Sequence, residues 1–100
     1  MPPKQYSLDI PWLESFTFSI DALEILEESV RGDLSEVRLD YTPAMREVET
    51  SGLVKVVKQE DGTVKSVIPL GILPRCVLEE FRTKYSDLKT KLSKGAEPSV

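Results

Sequence analysis

Residues 53–70 constrain the fold more than any other part of the chain. Two β-branched runs, Leu53-Val54-Lys55-Val56-Val57-Lys58 and Thr63-Val64-Lys65-Ser66-Val67-Ile68, flank Glu60-Asp61-Gly62. That pattern is a β-hairpin. A two-residue Asp-Gly turn would set Lys58 opposite Lys65, and like charges directly opposed are unfavourable. A three-residue loop with Gly62 in the left-handed region sets Lys58 opposite Val64 instead. In that register Val54, Val56, Val64, Ile68 and Leu70 share one face, whereas Leu53, Val57 and Val67 share the other with Lys55, Thr63 and Lys65. Neither face is fully polar. One face is expected to cover a core and the other to stay partly apolar and open.

The segments on either side follow from the same two periodicities. Tyr6, Leu8, Ile10 and Trp12 alternate with polar residues and Pro11, and Phe16, Phe18 and Ile20 alternate with Ser15, Thr17 and Ser19. These read as one bent strand or two short ones. Asp21 and Glu24 form a capping-box pair ahead of a helix over 22–31, which Gly32 ends. Glu24, Glu27 and Glu28 are expected on its solvated outer face. Val37, Leu39 and Tyr41 alternate as a strand, and Thr42-Pro43 starts either a short helix before Ser51-Gly52 or a wide loop. Pro74 opens the longest helix, with Val77, Phe81, Tyr85, Leu88 and Leu92 forming one apolar stripe up to Gly95.

The expected fold is therefore α+β: a small antiparallel sheet of three to five strands with two helices packed on one face. A chain of 100 residues supports one domain, taken here as 1–95, with 96–100 a flexible C-terminal tail.

Composition narrows the chemistry. The absence of His excludes His-based acid–base catalysis and His metal ligation. Cys76, the single cysteine, cannot form an internal disulfide or a structural zinc site. It falls in the first turn of the last helix beside Arg75, a position from which cysteines react. With no His to pair with it, burial as a small hydrophobe is the preferred reading. Gly71-Ile72-Leu73-Pro74 precedes a helix start but lacks the glycines of a phosphate loop. No catalytic residue, metal site or cofactor is expected. No apolar run reaches the roughly 20 residues of a membrane span or resembles a signal-peptide core. The lone thiol fits a reducing interior, so a soluble cytoplasmic protein is expected.

Charge is uneven: residues 1–51 carry 11 acids and 4 bases, and residues 52–100 carry 6 acids and 9 bases. Such asymmetry marks either a basic binding face or two halves that neutralise each other within the fold. From Asp21 to Lys94 the order helix–strand–strand–strand–helix resembles that of double-stranded-RNA-binding domains and of Alu-RNA-binding signal-recognition subunits. The resemblance covers element order alone. The last helix starts Pro74-Arg75-Cys76-Val77-Leu78-Glu79-Glu80 where the first family is lysine-rich, and this chain is acidic overall.

The leading functional expectation is a non-enzymatic protein–protein interaction module, acting as a small subunit, adaptor or inhibitor through an open sheet face or edge strand. A homodimer is its simplest form. The contact candidates are Tyr6, Trp12, Leu53, Val57 and Val67. The alternative is an RNA- or DNA-binding domain using the basic C-terminal half, with Lys55, Lys58, Lys65 and Arg38 on the sheet.

Overall fold

The N-terminal alternation folds into two short strands, β1 (Gln5–Asp9) and β2 (Ser15–Ser19), paired antiparallel with Tyr6 opposite Phe18 and Leu8 opposite Phe16. The computed structural model describes residues 5–11, 15–85 and 88. All four of these paired apolar side chains are buried, and the polar residues between them are largely exposed. β2 runs directly into helix α1 (Ile20–Arg31). Its cap is Ser19 rather than Asp21: the Ser19 hydroxyl accepts the Ala22 N–H at 3.2 Å. The helix thus starts two residues earlier than the capping-box reading placed it. Gly32 ends it at φ 84°, a left-handed conformation that a side chain resists.

Thr42-Pro43 starts a helix and not a loop. In α2 (Pro43–Ser51) the Thr42 hydroxyl accepts the Met45 N–H, and proline occupies the start, where no N–H partner is needed. The hairpin follows as β3 (Val54–Lys58) and β4 (Val64–Pro69), then α3 (Leu73–Lys84). At the loop the expected geometry is present: Lys58 pairs with Val64, the Gly62 N–H reaches the Gln59 carbonyl at 3.0 Å, and Gly62 sits at φ 89°.

Beyond the loop the register differs from the expectation. The pairing slips between Val57 and Lys58, so Val57 faces Ser66 and Val56 faces Val67, leaving Lys65 as an extra residue on β4. A bulge of this kind exchanges the faces of every later residue. Val67 turns into the core, and Ile68 and Leu70, expected inside, turn outward.

Among the described residues two two-stranded sheets replace the single sheet of three to five strands, and three helices pack where two were expected. Two contacts account for the first change. The outer edge of β1 is closed by Tyr85, whose hydroxyl accepts the Ser7 N–H at 3.0 Å and donates to the Ser7 carbonyl at 2.8 Å. The segment expected as a strand at 37–41 follows β4 without forming a regular ladder. Leu34 accepts from Val67, Val37 donates to Lys65, and Leu39 exchanges bonds with Val64. Steps of three and two residues on one side meet steps of two and one on the other, so only one bridge forms. With α2 inserted and that strand lost, the element order shared with RNA-binding domains is not kept.

α1 lies at the centre, touching α2, α3, β2 and β4. Its Leu23 and Leu26 join Met45, Val48, Phe16, Phe18, Val77 and Phe81 in one continuous core. The stripe of the last helix is interrupted at Tyr85, whose backbone is extended (φ −118°, ψ 103°). Leu88 beyond it is still buried in the core. Leu92, Gly95 and the tail at 96–100 lie outside the described residues. Among the described residues no helix is long and apolar enough to cross a membrane.

Candidate functional site

The bulge at Lys65 and the two prolines that follow it build an outward apolar surface. Pro69 ends β4, Gly71 turns the chain at φ 75°, and Pro74 starts α3 and is itself buried. Between them the side chains of Ile68 (43% exposed), Leu70 (47%), Ile72 (79%) and Leu73 (37%) face solvent. Most single exposed apolar residues need no explanation, but a contiguous run does. Lys55 lies directly opposite Ile68, and Arg75 and Cys76 are exposed on the first turn of α3. Cys76 is therefore not the buried hydrophobe expected of it. Its N–H bonds to the Ile72 carbonyl at 3.1 Å, which ties it to the edge of this surface.

The five contact candidates are distributed differently. Tyr6, Leu53 and Val67 are core residues, with Tyr6 edge-on to the Tyr85 ring at 4.9 Å between centroids. They do not form an open face. Val57 is half-buried, paired with Ser66, whose hydroxyl donates to the Ser35 carbonyl at 2.7 Å. Trp12 lies outside the described residues. The exposed apolar residues not anticipated as such are Ile68, Leu70, Ile72 and Leu73. Their signal was an apolar run continuing through a glycine turn, with neither strand nor helix period to absorb it.

A second feature lies between α1 and α2. A groove of about 530 Å³ is lined by Asp21, Glu24, Glu28 and Glu47, with Ile25, Pro43 and Ala44 supplying apolar surface. No Lys or Arg is among its described lining residues. One end of the Glu47 side chain is committed: its carboxylate accepts the Ser19 N–H and hydroxyl, both at 3.0 Å. Asp21, Glu24 and Glu28 form no ion pair among the described residues.

Glu27 departs from its expected place on a solvated face. It is 5% exposed, between Arg31 at 3.3 Å and Arg82 of α3 at 3.6 Å. Burial pushes its carboxyl above the ordinary carboxylate value, and the two guanidinium groups oppose that shift. Arg31 also holds Asp33, and Arg82 also holds Glu79, both at 2.8 Å. The cluster is close to charge-balanced and joins α1 to α3.

Two of the cations proposed for a nucleic-acid face are similarly engaged. Arg38 pairs with Asp61 at 3.2 Å. The Lys58 ammonium lies 4.0 Å from the Tyr41 ring centre and 3.9 Å from Glu49. The Tyr41 hydroxyl donates to that same Glu49 carboxylate, which raises the phenol pKa above its usual value. Among the described residues no group of three or more Cys, Asp or Glu side chains is placed to hold a metal ion. No protein-family model, curated protein or solved structure matches the chain.

Proposed function

We propose that the protein is a non-enzymatic protein–protein interaction module whose docking surface is the apolar run at 68–73. The observation that carries this reading is the exposure of four large apolar side chains, Ile68, Leu70, Ile72 and Leu73, within the single stretch 68–73. Lys55 and Arg75 supply a polar rim, and an apolar centre with a polar rim is the usual anatomy of an association surface. The surface lies on a strand end and a helix start, both anchored in the core, so it is presented with little ordering cost on binding.

Cys76 offers a direct test, since it is exposed beside the surface and is the chain's only cysteine. A photo-crosslinker attached there is expected to capture a protein partner, or a second copy, from native extract. The double variant Leu70→Ser/Ile72→Ser should fold as the wild type does by circular dichroism and lose that adduct. Equal capture by both proteins, or capture by neither, would contradict the reading.

Nucleic-acid binding is the second reading, and Lys55 and Lys65 favour it because neither forms an ion pair among the described residues. Two such lysines on a hairpin are few for neutralising phosphates. Steeply salt-dependent retention on generic duplex would raise this reading above the first.

A further inference from the structure

We infer that the occupant of the apolar surface is a second copy of this chain, bound head to tail with its 68–73 run seated in the acidic groove between α1 and α2. This rests on the docking reading above and assigns it a partner. The two surfaces share no residue, so one copy can offer its groove to one neighbour and its apolar run to another.

Charge selects this arrangement over the symmetric ones. Apolar run against apolar run brings Lys55 and Arg75 of one copy toward the same cations of the other. Groove against groove opposes two sets of carboxylates. Only the mixed pairing sets Lys55 and Arg75 against Asp21, Glu24 and Glu28 while Ile72 and its neighbours meet Ile25, Pro43 and Ala44. The uneven charge of the two halves of the chain takes a specific form here: the acidic half carries the groove and the basic half carries the surface that fits it. The groove, at about 530 Å³, falls within the range of roughly 300–1,000 Å³ typical of sites that enclose a bound group.

A contact between two different surfaces does not close on itself as a twofold dimer does. It adds further copies, as an open chain or a ring. Association should therefore continue past the dimer as concentration rises, and weaken roughly three- to tenfold between low and moderate salt.

Sedimentation equilibrium of the full chain with two variants tests this. Glu24→Lys/Glu28→Lys alters the groove, and Leu70→Ser/Ile72→Ser alters the apolar run. Each variant alone is expected to be monomeric where the wild type associates. An equimolar mixture is expected to form a 1:1 complex and go no further, because each variant keeps the surface that the other has lost. Should the double lysine variant fail to keep the wild-type circular dichroism, Asp21→Lys replaces it. A groove variant that associates as the wild type does would overturn the head-to-tail arrangement, as would a mixture that stays monomeric. A wild type that stays monomeric throughout, yet forms a Cys76 adduct with a foreign protein, would overturn self-association and leave the docking reading standing.

Discussion

Glu27 shows how a single residue in this chain is decided by something distant. Along α1 it sits four residues after Leu23 and next to Leu26, at the margin of the buried stripe. Local periodicity places it with Glu24 and Glu28 on an outer face. What meets its carboxylate there, besides Arg31, is Arg82, which lies 55 residues further along the chain and on another helix. A raised pKa in the folded state means that the unfolded chain holds the charged form more readily than the folded one does. Its contribution to stability is therefore greatest below the ordinary carboxylate pKa and declines as pH rises through the folded-state value. Replacing it with Gln removes that titration, while Arg31 keeps Asp33 and Arg82 keeps Glu79. Urea midpoints at about pH 4 and about pH 7 should show the wild type losing stability relative to Glu27→Gln as pH rises. A relative gain would mean that the two arginines outweigh burial.

Among the elements, those with local chemistry were legible. The helix end at Gly32 and the three-residue loop at Gly62 follow from residues within one turn of the chain, whereas Thr42-Pro43 leaves a short helix and a wide loop both open. The end of α3 does not follow from nearby residues. No glycine or proline marks Tyr85, and the apolar spacing of Val77, Phe81, Tyr85 and Leu88 reads as uninterrupted helix. What stops the described helix there coincides with a contact of sequence separation 78: the Tyr85 hydroxyl bonds to both polar groups of the Ser7 peptide units, and Lys84 adds a third bond to the Ser7 carbonyl at 2.8 Å. This closes an edge strand that would otherwise invite pairing. Tyr85→Phe keeps the ring against Tyr6 and removes two hydrogen bonds, so it should cost about 1–3 kcal/mol. The Ser7 amide should also exchange faster with solvent. Unchanged exchange at Ser7 would show that the hydroxyl does not guard this edge.

For the whole molecule, the mixed α+β class was readable from the patterns, whereas the open apolar face was expected at Leu53, Val57 and Val67, of which Leu53 and Val67 are buried. The division into two hairpins around a central α1 was not, since it depends on contacts between distant segments. The location of the open surface turned on one inserted residue. Without a bulge, the loop register places Val67 outside and Ile68 and Leu70 inside; with Lys65 as the extra residue the assignment reverses. The account of the surface depends on that reversal, and it can be read in dilute solution whatever the partner is. Methyl signals of Val67, Ile68 and Ile72 can be recorded with a soluble paramagnetic chelate, which broadens side chains that meet solvent. Ile68 and Ile72 should broaden strongly while Val67 stays sharp. A broadened Val67 with a protected Ile68 would contradict the bulged register and, with it, the surface assigned to 68–73.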